Sequence, residues 1–145
     1  MTPAPLLTEF VLEAYVTIGT PVKTGSSKDG YRQMIPITGG QFEGPRLEGK
    51  VLAGGGDWQR VRADGAMVIE ALYMIETDDG ARIVVRNNGI GVASPDGGEP
   101  YMRTVPEFEA PKGPHDWLNR SVFVGSISRP EDGSNAVMIR VYRVI

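Results

Sequence analysis

Residues 58–77, WQRVRADGAMVIEALYMIET, decide the fold. The runs Trp58–Arg62 and Met67–Thr77 flank RADG, a sequence with the glycine chemistry of a hairpin turn. In the longer run Met67, Ile69, Ala71, Tyr73 and Ile75 fall on one face, and Val68, Glu70, Leu72, Met74 and Glu76 on the other. That is the period of two of a β-strand with two partly apolar faces.

Downstream the pattern repeats. Strands are predicted at Arg82–Asn87, Tyr101–Phe108, Ser121–Ile127 and Val137–Val144, separated by TDDG, SPDGGEP and RPEDGSN. Short strands with a turn signal between nearly every pair describe a closed or nearly closed antiparallel barrel, or a sandwich. Only PHDWLNR, residues 114–120, reads as one helical turn, with Pro114 and Asp116 suited to its start. Upstream, LLTEFVLEAYVTI (6–18) fits a helical stripe or a strand face, and its tail YVTI favours the strand. The stretch TPVKTGSSKDG reads as a polar loop. Gly39–Trp58 reads as turn-rich, with glycines at 39, 40, 44, 49, 54, 55 and 56 that allow tight bends or close backbone approach to a ligand.

Composition agrees with this reading. Among 145 residues, 19 Gly and 11 Pro argue against a helix bundle, and the length suits one domain, 1–145, with its own core. A formal net charge of −3 without a basic stripe excludes an electrostatic footprint for nucleic acid. The absence of cysteine removes disulfides, thiolate catalysis and cysteine-held metals, and a single histidine, His115, removes multi-histidine metal sites. With no basic, apolar leader at MTPAPLLTEF and no run of about 18 apolar residues, the expectation is a cytoplasmic protein without a membrane partner. Neither GGGDW nor GTPVKTGSSKDG has the strand–turn–helix context or spacing of a phosphate site.

The stretch ITGGQFEGPRLEGKVLAGGGDW (37–58) carries a family resemblance, and TDDGARIVVRNNG, YMRTVPEFEAP, DWLNRSVFVGSISR and VMIRVYRV continue it in order. Over about Phe10–Ile145 the chain resembles domain-of-unknown-function family 3237, a family of small microbial proteins. The resemblance implies an all-β fold: a single antiparallel barrel similar to allene oxide cyclase or to lipocalins, without a cofactor and with no settled activity. Two positions depart from the family's pattern. Leu72 stands where an arginine often follows the acid at Glu70, and His115 and Asp116 stand where an aromatic commonly precedes the WLN motif.

Several residues could carry chemistry. Asp57 and Trp58 end the glycine run, where a carboxylate beside a flat aromatic could act as a base; the structural alternative is a turn cap and a barrel plug. Glu70 is either a rim carboxylate or a lumenal acid of raised pKa that Asp57 would repel. Arg86, Tyr101 and Arg103 would form a basic and phenolic side of a pocket, with Tyr101 and Arg103 sharing a strand face, or would be an ion-pair partner and an edge aromatic. Tyr73 would line the same pocket. Trp117 and Asn119 would close one barrel mouth, the Asn119 amide facing a ligand. His115 reads as a solvated bystander, and Asp78, Asp79 and Asp132 read as turn residues.

The leading expectation is a cofactor-independent enzyme of isomerase, lyase, hydratase or cyclase type. Asp57, Glu70, Tyr101 and Arg103 would act on a small apolar or aromatic carbonyl or hydroxyl compound, with Trp58, Tyr73, Arg86, Trp117 and Asn119 binding it and no metal involved. The alternatives are a non-catalytic carrier or sensor of a hydrophobic ligand, and a homo-oligomer subunit whose edge strands pair across copies.

Overall fold

A computed structural model describes all 145 residues. Ten strands form one antiparallel sheet: β1 (Thr8–Ile18), β2 (Val22–Ser27), β3 (Gly30–Glu43), β4 (Gly49–Val51), β5 (Gly56–Val61), β6 (Met67–Thr77), β7 (Arg82–Val92), β8 (Tyr101–Glu109), β9 (Phe123–Ser128) and β10 (Ala136–Val144). Pairing runs β1-β10-β9-β8-β7-β6 and then, through β4 and β5 placed end to end, to β3. β3 pairs back onto β1, so the sheet closes into a barrel of eight staves. The only helical element is a 3-10 turn, Asp116–Arg120, and no helix is long and apolar enough to cross a membrane.

Closure is encoded in the alternation. On β6 the residues Ile69, Ala71, Tyr73, Ile75 and Thr77 are buried, while Glu70, Leu72 and Met74 are exposed. Each large apolar side chain so buried contributes roughly 1.5–3 kcal/mol. The ambiguous segment near the amino terminus is a strand because it pairs with β10 on one edge and β3 on the other, an arrangement a helix cannot enter.

Two predicted loops are corrected. Val22–Ser27 is a strand hydrogen-bonded to β3; it is polar on both faces, so it carries no alternation to read. The Gly39–Trp58 stretch contains the end of β3, all of β4 and the start of β5. Its glycines serve the wall. Gly54 has φ 110°, and a Cβ on Gly55 would lie 2.5 Å from the Tyr73 Cβ, so the chain crosses directly over β6 there.

The two ends of the barrel differ. Between β8 and β9 the chain crosses the lower end, where Leu118 of the 3-10 turn is buried and Trp117 packs against Phe123. Phe123 meets Phe108 edge-on at 5.1 Å, and the Arg46 guanidinium lies 3.8 Å over the Trp117 ring. The turns β2–β3, β5–β6, β7–β8 and β9–β10 gather at the upper end.

Candidate functional site

Inside the barrel a polar belt lies above the apolar lower end. Asp57 on β5 stands opposite Ala71 on β6 and Ile35 on β3, both of which face inward, so its carboxyl faces inward too. The β5–β6 ladder pairs Gly56 with Leu72, Asp57 with Ala71, Arg60 with Val68 and Val61 with Met67, with no rung between the second and third. In that gap the Glu70 N–H donates to Asp57 Oδ1 at 3.1 Å. Gln59 Nε2 donates to Asp57 Oδ2 at 2.9 Å, and Gln33 Nε2 donates to Gln59 Oε1 at 2.8 Å. Both carboxyl oxygens are therefore fixed, and each keeps a second lone pair.

Burial raises the Asp57 pKa above the ordinary carboxylate value, and the Glu70 charge adds slightly in the same direction; the hydrogen bonds from Gln59 and Glu70 pull it down. Tyr73, one inward position further down β6, is buried, and burial followed by the Asp57 charge raises its phenol pKa. It remains a neutral donor. Across β6 from Asp57, Asn87 on β7 is 1% exposed, and Thr104 on β8 is 2% exposed. Asn87 Oδ1 and Thr104 Oγ1 are buried without a hydrogen-bond partner.

Other sequence candidates lie elsewhere. Glu70 is exposed on the outer wall, the solvated of its two readings, which corrects its expected catalytic place inside the barrel: it shares its face with Leu72 and Met74, not with Ile69 and Ala71. Trp58 is 50% and Tyr101 57% exposed, and both also point outward, because each neighbours an inward residue on its strand. Tyr101 and Arg103 do share a face, with the guanidinium 5.3 Å from the ring, but it is the outer one. Arg86 is exposed for the same reason, beside buried Asn87.

At the lower end the Asn119 amide is consumed by the backbone of Ala110, donating to its carbonyl at 2.9 Å and accepting from its N–H at 2.8 Å, so it faces no ligand. Trp117 closes the lower end as packing, tilted against Phe123 and lying on the core, rather than as a ligand contact. His115 is corrected from bystander to latch: it is buried, with Nε2 3.0 Å from both Asp79 oxygens. Asp79 also accepts from the Thr77 hydroxyl, so this turn residue ties the plug to the barrel wall. Asp132 is a turn residue, accepting from the Ser134 N–H.

Gln33, Gln59, Asn87 and Thr104 were not among the sequence candidates. The available signal was parity: Gln59 lies two residues from Asp57, while Asn87 and Thr104 adjoin the charged residues chosen instead.

Fold and site together define a closed antiparallel barrel with a lumen-facing acid. The chain belongs to the family described as protein of unknown function (DUF3237), whose model matches residues 7–144. A UPF0311 protein of Rhodopseudomonas palustris is 37% identical over the full length of both chains. A β-barrel-like protein from Acinetobacter baumannii superposes with TM-score 0.90 at 33% identity, covering 99% of each chain. A hydroalkoxylation enzyme of Penicillium herquei is 30% identical over 81% of this chain and 71% of its own. The structure of an enzyme from Penicillium herquei matches with TM-score 0.79 at 26% identity, covering 100% of this chain and 98% of that one.

Proposed function

We propose that this protein is an acid–base enzyme that adds a substrate hydroxyl across a carbon–carbon double bond within the barrel, with Asp57 as its proton shuttle. The observation that carries this is the Asp57 carboxyl itself: inward-facing, of raised pKa, and held at both oxygens by Gln59 and the Glu70 N–H. Similarity to a hydroalkoxylation enzyme of Penicillium herquei supports this choice of reaction class.

In the acid form, Asp57 delivers its proton to the less substituted carbon of the double bond, leaving the developing positive charge on the other. The hydroxyl oxygen bonds to the other carbon. Its proton passes to the second carboxyl oxygen, which restores the acid, so one O–H and one π bond become one C–H and one C–O bond without any redox change. The Tyr73 phenol, kept neutral below the belt, can donate to an oxygen that gains charge as the reaction proceeds. The Gln33–Gln59 pair holds the carboxyl and is positioning rather than catalytic.

The test is to incubate the protein with 2-prenylphenol and 2-allylphenol in D2O and follow ring closure and carbon deuteration by mass spectrometry. Deuterated cyclic ether formed by wild type and lost in Asp57→Asn supports the proposal. Undiminished turnover in Asp57→Asn overturns it, as does binding of these phenols without conversion, which is the behaviour of a carrier.

A further inference from the structure

Below Thr104 the barrel wall parts. β8 and β9 pair only through Arg103 with Ser126 and Thr104 with Gly125, and Pro106 has no N–H with which to carry the ladder further. The seam opens a cleft of about 320 Å³, with Val105 and Val122, both more than half exposed, as its sides and Phe108 and Phe123 beneath. A matching feature stands two strands away. Residues 2–7, TPAPLL, precede β1 as an arm without a charged side chain, and Leu6 is 80% and Leu7 60% exposed. Leu7 ties the arm to the barrel, its carbonyl accepting from the Ile145 N–H at 2.9 Å.

We propose that this chain forms a two-fold dimer in which Leu6 and Leu7 of each copy fill the β8–β9 cleft of the other. The occupant is a second copy because the two leucines do not reach the cleft of their own chain. Leu7 lies beside Ile145, and the Val122 carbonyl accepts from the Val144 N–H on the far side of β10, so two strand spacings, roughly 10 Å, separate the anchored leucine from the near wall of the cleft. Leu6 is one residue further along, a reach of about 3.5 Å. Pro3 and Pro5 hold the rest of the arm extended. A two-fold axis over the foot of β10 relates arm to cleft, and that surface suits a contact. Phe10 meets Tyr142 edge-on there at 5.8 Å, and Ile145 is exposed. Its charges are already matched within the chain, Arg140 with Glu13 at 2.7 Å and Arg143 with Glu9 at 3.1 Å, so association strands none of them. The arm brings no charged side chain into an apolar floor. Reciprocal exchange gives a closed pair, not a filament.

Sedimentation velocity over a dilution series tests this. Wild type should be a dimer. Leu6→Asp and Val122→Asp, both at exposed positions, should each raise the dimer Kd by about 10²–10⁴-fold, since every dimer loses two apolar contacts, and should leave Tm of the monomer unchanged. A wild type that stays monomeric up to about 1 mM, or a dimer that survives both variants, would overturn the proposal. The absence of cysteine allows a direct check of which residues meet. Leu6→Cys and Val122→Cys chains, mixed and oxidised, should give the mixed disulfide in excess over either like pair, because bridging needs Cα atoms within about 7 Å. An excess of like pairs would place the contact elsewhere and sink the arm exchange. So would a chain carrying both substitutions that closes its disulfide within a monomer, since the arm would then serve its own cleft.

Discussion

The two ends of this barrel are built from the same staves to opposite purposes. At the lower end the inward positions are filled by Phe108, Phe123 and Leu118, sealed by Trp117 under Arg46, and latched by His115 to Asp79. Above them the inward positions turn polar, with Asp57, Gln59, Asn87 and Thr104, and then half-buried toward the upper end. The aromatic packing lies below, and the upper half carries the desolvation cost of two buried polar atoms without a hydrogen-bond partner, Asn87 Oδ1 and Thr104 Oγ1. The barrel accepts these two unpartnered atoms because Asp57, Gln59 and Gln33 in the same belt satisfy one another and the apolar lower end supplies folding free energy.

Four experiments would break or sharpen that contrast. The largest effect should come from Asp57→Asn, with a loss of turnover of roughly 10²–10⁴-fold for a general acid–base group and no loss of fold by circular dichroism. Because burial raises the Asp57 pKa, the acid form is favoured in the folded state. Wild-type activity should therefore fall as pH rises through that raised value, and the variant should be no less stable than wild type at neutral pH.

Next is Phe123→Ala at the lower end, expected to cost about 3–5 kcal/mol in urea unfolding, since Phe123 is 1% exposed and touches two aromatic rings. A cost below about 1 kcal/mol would deny that the lower end carries the fold. A smaller change should follow from Asp79→Asn. The Thr77 and His115 hydrogen bonds lower the Asp79 pKa, so its contribution is fully present above the ordinary carboxylate value and fades as pH falls through the lowered one. Melting curves of wild type and variant should differ at neutral pH and converge in acid. The smallest effect should be that of Arg103→Ala, on the outer wall: stability within roughly 0.5 kcal/mol of wild type and turnover unchanged. A large loss of activity there would move the site off the lumen.

How much of this was legible in the sequence depends on which face a residue takes. The hairpin at RADG, the β6 alternation and the single helical turn were all readable, because turn chemistry and the period of two are local signals. β2 was not, since VKTGSS has no apolar face to reveal a strand. At the site the sequence pointed to the right strands, but often to the wrong side of them. Trp58, Arg86 and Arg103 each adjoin an inward residue, and a one-residue slip in parity exchanges the two walls. Charge drew attention to the outer face. Apart from Asp57 the polar groups of the inner face are uncharged amides and hydroxyls, and only closure of the sheet, with β3 returning to β1, shows which side became the inside.

The gap in the β5–β6 ladder has a consequence for observation. Because Asp57 takes the Glu70 N–H that a backbone carbonyl would otherwise receive, that amide proton feels directly whether the carboxyl is ionised or occupied by a ligand. Its resonance is a gauge built into the barrel wall, readable from outside on a residue whose own side chain faces solvent.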